Sequence, residues 1–150
     1  MAQPTRTQLA RARALLARAE ARFDGAEAVS KRESSAQGEF DNGFDGVVSG
    51  IFHVVDAFEL VTTGLRREAR EADQATRIAS ALTALRGARI VDLPATARLV
   101  GLNARRNTSV HGEWLEVMDR EELEAAVRAG RGLLVAVRTF VNRQGIEPLG

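Results

Sequence analysis

Residues 119–141, DREELEAAVRAGRGLLVAVRTFV, decide the fold class of this chain. Small and apolar residues recur there at spacings of three and four, the period of an amphipathic helix: Leu123, Ala126, Val127, Gly130, Leu134, Val137 and Val141. Asp119, with Glu122 three residues later, fits a capping box, so we expect the helix to begin there. The GRG at Gly130 to Gly132 lacks the spacing of a phosphate-binding loop, and we interpret it as a point of close helix packing.

The other long segments have the same helical period. It predicts a first helix with Leu9, Leu16 and Phe23 on its apolar stripe, and further helices over about 44–62, 70–86 and 92–111. Residues 24–46, rich in Gly, Ser and acidic side chains, are predicted to form a long polar connection, partly mobile. No segment alternates with the two-residue period of a strand. We therefore predict a single all-α domain over residues 1–150, an up-and-down bundle of four main helices with an additional short helix.

Composition removes several classes of function. The chain has no cysteine and two histidines, which excludes disulfides and thiolate chemistry and disfavours a zinc site, so no cofactor is predicted. No apolar run of about 18 residues is present, and the N-terminal segment lacks the apolar stretch of a secretory signal. The sequence thus predicts no membrane partner and a cytoplasmic location. The net charge of +1 does not indicate nucleic-acid binding over the whole surface. Arginine dominates the basic residues, a bias that suits phosphate contact but also a GC-rich genome.

The stretch Ala104–Gly112, ARRNTSVHG, holds the residues that suggest chemistry. On a helical wheel Arg106 falls on the apolar face that contains Leu99, whereas Arg105 falls on the solvent side. Asn107 and His111 are four residues apart and hence neighbours on the helix, so the amide could orient the imidazole. His111 lies where the helix ends, and a helix C-terminus favours the protonated imidazole.

Such a set can cleave RNA without a metal. The 2′-hydroxyl must lose a proton, for which an imidazole is suited, and a fixed cation can stabilise charge on the phosphorane. Arg106 to His111 resembles the R-x4–6-H signature of HEPN domains, at the end of a late bundle helix that one more long helix follows. The resemblance implies a four-helix bundle that dimerises and places two Arg–His pairs in one cleft. Many members of that family are metal-independent endoribonucleases in toxin–antitoxin or defence systems, and some are noncatalytic.

The resemblance assigns roles to three residues. His111 would be base or acid, Arg106 the phosphate and transition-state clamp, and Asn107 the orienting residue. RNA and a second copy of the chain are the implied partners, with an antitoxin protein as a further one. One subgroup of the family carries a Tyr two residues after the His, which its antitoxin modifies; this chain has Glu113 there, so that route of regulation is in doubt.

A polar stripe on the second helix offers a supporting role. Ser49, His53, Asp56 and Glu59 follow one another at spacings of four and three. Asp56 or Glu59 could brace Arg106 from across the bundle. The simpler interpretation is that the stripe is solvated or pairs with a neighbouring helix, and that Arg106 reaches a carboxylate with no catalytic role.

Two alternatives to a ribonuclease remain open at the level of sequence. The first is a noncatalytic HEPN-like helical module that dimerises and binds a nucleotide, RNA or a protein partner. The second is an antitoxin or regulator that places the arginine-rich first helix on nucleic acid. That helix, however, also has the pattern of an ordinary member of the bundle.

Overall fold

Four long helices make up most of the described chain. The computed structural model describes residues 4–32, 37–63, 82–87, 89–90, 93–110 and 119–146, and only the backbone of 37–38, 63, 93, 103–110 and 145–146. The helices are α1 (Arg6–Ser30), α2 (Gln37–Thr63), α3 (Leu93–Val110) and α4 (Arg120–Ile146). No strand occurs in these ranges, and the helices pack as a bundle, which confirms the predicted all-α fold.

Capping boxes begin two of the helices. At α4 the Glu122 backbone N–H donates to the Asp119 carboxylate at 2.8 Å, and the Asp119 N–H donates to the Glu122 carboxylate at 3.3 Å, as predicted. At α1 the Gln8 N–H donates to the Thr5 hydroxyl at 3.0 Å, and the Thr5 N–H donates to the Gln8 side-chain oxygen at 2.8 Å. Each box satisfies backbone donors that an uncapped helix start would leave without partners.

The core is built by α1, α2 and α4. Their inward faces bury the apolar residues that the helical period indicates, among them Leu16, Val54 and Val137. Helix α1 runs antiparallel to α4, since Glu20 pairs with Arg138 and Ser30 lies near Arg120. Helix α3 packs on α4 and α2 but has no packing contact with α1 among the described residues, so α1 and α3 lie on different sides of the bundle.

Phe23 lies where the three core helices meet. Its side chain is fully buried between Gly50 of α2 and Gly130 of α4. A Cβ at either glycine would stand 2.6 Å from the ring carbon Cε1, which is closer than carbon atoms can approach. The two glycines therefore provide the space for the ring, and the close packing predicted at Gly130 is confirmed.

The connection after α1 is shorter than predicted, and its placement over residues 24–46 is wrong at both ends. Helix α1 continues to Ser30, and α2 begins at Gln37. The acidic residues and glycines of these segments suggested a loop. Nevertheless, Ala26, Ser30, Phe40 and Phe44 are buried at helical spacing. Tertiary burial of these four positions outweighs the weak helix propensity of their neighbours.

A short helical segment over residues 82–87 accounts for the end of the predicted helix at 70–86. Leu82 and Leu85 are buried in the core, as predicted. The segment ends in a left-handed turn, because Arg89 has a φ of 60° and the Ile90 N–H donates to the Leu85 carbonyl at 2.9 Å. Residues 70–80 of the prediction lie outside the described residues.

Candidate functional site

Helix α3 provides the frame for the predicted site. Thr96 and Leu99 are buried and Ala95 and Leu102 are half-buried, whereas Arg98 and Val100 are exposed. The helix therefore directs one face into the bundle, toward α4 and α2. The burial pattern of residues 95–102, which precede the motif, thus defines the inner and outer sides of α3.

The motif residues follow two turns later in the same helix. Arg106 is seven residues after the buried Leu99, and Arg105 is seven after the exposed Arg98, a rotation of about 20° in each case. The backbone positions of Arg105 and Arg106 thus fall on the outer and inner faces. Their side chains and that of Asn107 lie outside the described residues, as does all of His111, the residue after the last described one of α3. The predicted assembly of Arg106, Asn107 and His111 stays a prediction.

The polar stripe predicted on α2 is present. Ser49, His53, Asp56 and Glu59 are all partly buried on a helix that is otherwise mostly enclosed. His53, Asp56 and Glu59 each have an interaction partner, so none of them is a free group. Helix α2 packs against α3, which is compatible with a supporting role for Asp56 or Glu59. The Arg106 side chain lies outside the described residues, so its contact with either carboxylate stays a prediction.

Ion pairs across the α1–α4 interface form a charged cluster that the sequence patterns did not predict. Arg131 donates to Asp24 at 2.9 Å and also to Glu27, and Glu27 pairs with Lys31 at 3.2 Å. The hydrogen bond from Arg131, with a second from Lys31, holds the pKa of the Glu27 carboxyl below its ordinary value of 4.5. Arg138 pairs at 2.6 Å with Glu20, about one helical turn before Asp24. The spacing of acids on α1 and arginines on α4 is visible in the sequence, but which helices pair is not.

The arginines of α1 behave differently from its acidic residues. Exposed side chains without an ion pair to any described residue are found at five positions: Arg6, Arg11, Arg13, Arg18 and Arg22. All five lie off the buried apolar stripe of α1. We call these five residues the α1 arginine surface. At about 100° per residue, Arg11, Arg18 and Arg22 share one edge of it, and Arg6 and Arg13 share the opposite edge.

The described residues give no sign of a metal site or a membrane-spanning helix. No three His, Asp or Glu side chains come together there in an arrangement that could hold a metal ion. Within the same ranges, no helix combines the length and the hydropathy needed to cross a bilayer. Comparison with models of protein families, with curated proteins and with solved structures gives no significant match for this chain.

Proposed function

We propose that this chain is a metal-independent endoribonuclease that cleaves RNA by attack of the 2′-hydroxyl on the adjacent phosphate. The observation that carries the proposal is the course of α3, whose described backbone continues through Arg106 to Val110, the residue before His111. Arg106 lies on the inner face with Leu99, and a further long helix, α4, follows the motif. This is the arrangement that the R-x4–6-H resemblance leads us to expect.

The proposed reaction needs a base, an acid and a cation. The 2′-oxygen bonds to phosphorus while its proton passes to a base, and the bond from phosphorus to the 5′-oxygen breaks as that oxygen receives a proton. His111 serves as base or acid, since an imidazole titrates near neutral pH. Arg106 binds the phosphate and stabilises the charge of the transition state, and Asn107 orients the imidazole. The products carry a 2′,3′-cyclic phosphate and a 5′-hydroxyl.

The active form would be a homodimer acting in the cytoplasm, as the toxin of a toxin–antitoxin or defence system. Two subunits would bring two Arg–His pairs to one cleft, and a polar cleft between subunits would accommodate an arginine on an otherwise apolar helix face. An antitoxin protein is the partner that such a toxin requires.

A noncatalytic role is the second candidate, and the α1 arginine surface is compatible with it. Five exposed cations without described ion-pair partners could bind RNA whether or not Arg106 and His111 cut it. In that case the chain would bind RNA as a dimer and leave it intact.

The test is an RNA digest in the presence of EDTA. Purified chain should cut single-stranded RNA in EDTA, since the proposed acid–base group is an imidazole, and mass spectrometry should find 2′,3′-cyclic phosphate and 5′-hydroxyl ends. Activity that EDTA abolishes and magnesium restores, or products with 5′-phosphate ends, would contradict the mechanism. Intact RNA under every condition would favour the noncatalytic candidate.

A further inference from the structure

The outer face of α1 has an unusually simple composition. From Thr5 to Arg22, every exposed side chain belongs to Arg, Ala or Thr. No exposed aromatic or large aliphatic residue is present there, so the face lacks the apolar groups with which an amphipathic helix enters a membrane surface. The alanines between the arginines are small enough to let an extended polyanion approach the guanidinium groups closely.

No acidic residue in the described ranges pairs with the arginines of this face. Glu20, Asp24 and Glu27, the acidic residues of α1, are paired with Arg138, Arg131 and Lys31. The α1 arginine surface has no such pairing with described residues. Of the ten exposed arginines without an ion pair to a described residue, five lie on α1 and at most two on any other described segment, although the net charge of the chain is only +1.

Two of the arginines border a groove. Arg11 and Arg18 line a cleft of about 350 Å³ between α1 and α2, with Leu15 and Leu60 in its wall. Arg11 and Arg18 are seven residues apart and therefore lie on the same side of the helix. The distance between their positions along the helix axis is about 10.5 Å. Each guanidinium group can bind a phosphate in bidentate fashion, so the two arginines can hold two phosphates of one strand.

We infer that the α1 arginine surface binds the sugar–phosphate backbone of single-stranded RNA, independently of sequence. The inference rests on the proposed function for the identity of the polyanion as RNA. Because α1 makes no packing contact with the described part of α3, this surface is separate from the helix that holds Arg106. It would supply affinity and hold the substrate strand, and it would take no part in the chemical step.

A binding experiment with a matched control tests this inference. The ligand is a fluorescent 2′-O-methyl RNA of about 20 nucleotides, which has no free 2′-hydroxyl and cannot be cut by transesterification. Its affinity is measured by anisotropy at several salt concentrations for the wild-type chain, Arg11→Ala/Arg18→Ala and Arg128→Ala/Arg143→Ala. The control removes two exposed arginines from α4, so both variants have the same net charge.

Log affinity falls as log salt rises, and loss of two phosphate contacts should make this slope shallower by about 1.4. Binding should weaken about 25-fold at 0.1 M salt. The control should bind nearly as the wild type does. Equal weakening of both variants, or displacement of the RNA by polyglutamate as readily as by unlabelled RNA, would overturn the inference. Cleavage of unmodified RNA is followed in parallel. If the chain cuts RNA but Arg11→Ala/Arg18→Ala binds it as the wild type does, only this inference is refuted. If the double variant binds more weakly but the wild-type chain cuts no RNA, only the proposed nuclease activity is refuted.

Discussion

Phe23 shows how single glycines determine the packing of this bundle. Its ring is enclosed by Gly50 and Gly130, and neither position has room for a methyl group. Gly132, only two residues after Gly130 on the same helix, is exposed, and no atom lies within 4 Å of the point that a Cβ would occupy there. The same residue type thus has opposite roles at two neighbouring positions.

These two glycines give a matched prediction at the residue scale. Gly130→Ala should destabilise the protein by about 1–3 kcal/mol, because the added methyl group overlaps a buried ring that Gly50 confines from the other side. Gly132→Ala should stabilise it by up to about 1 kcal/mol, because alanine is the better helix former at an open position. Urea denaturation of both variants measures the difference. Equal effects of the two substitutions would contradict the packing described for Phe23.

At the scale of elements, α1 and α4 are joined by ion pairs at their edges as well as by the apolar core. Arg131 contacts Asp24 and Glu27, and Arg120 extends from the start of α4 to the Ser30 carbonyl at 2.9 Å and over the Phe40 ring at 5.5 Å. Arg120 thereby links α4 to the end of α1 and the beginning of α2. These contacts hold the start of α4 against the end of α1 and the beginning of α2.

The Glu27 ion pairs predict a dependence of stability on pH. Folding lowers the pKa of Glu27, so its stabilising contribution is complete above the unfolded-state pKa and is lost as the pH falls through the folded-state pKa. Glu27→Gln should therefore melt at a slightly lower temperature than the wild type at pH 7, and the difference should shrink below about pH 4.5. The effect should be small because the pair is partly exposed. A difference that grows as the pH falls would contradict this assignment.

Sequence patterns predicted the elements better than their ends. The apolar stripe and the Asp119 capping box located α4, and the apolar period located α3. The prediction over residues 24–46 failed because Gly43 and the acidic residues suggest a loop, whereas Gly43 faces Leu123, where a Cβ would lie 2.9 Å from a methyl carbon. A glycine needed for close packing cannot be told from a loop glycine without the neighbouring helix. The Thr5–Gln8 box was a signal in the sequence that could have located the start of α1.

The candidate site was predictable only as positions along one helix. The wheel assigned Arg105 and Arg106 to different faces, and the burial of Leu99 beside the exposed Arg98 agrees with that assignment as far as the described side chains extend. Contacts between helices, including the predicted contact of Asp56 or Glu59 with Arg106, depend on tertiary packing that a single sequence does not contain.

At the scale of the whole molecule, the proposed function requires two copies of the chain. Light scattering after size exclusion should give twice the chain mass of 16.2 kDa at micromolar concentration, because one Arg–His pair supplies half of the expected cleft. Val100 and Val135 are large hydrophobic residues that stay exposed in the described part of the single chain, at 49% and 62%. A monomer mass that persists as the concentration rises would count against the shared cleft.

The most direct test of the central claim is the cleavage rate of four proteins in one buffer: wild type, Arg105→Ala, Arg106→Ala and His111→Ala. Arg106→Ala and His111→Ala should each lose about 100-fold or more in rate while they remain folded, because each removes a group that acts in the transition state. Arg105→Ala should stay within a few-fold of the wild type and change stability by no more than about 0.5 kcal/mol, as expected for a residue on the outer face. Loss of cleavage in Arg105→Ala with activity retained in Arg106→Ala would contradict the account.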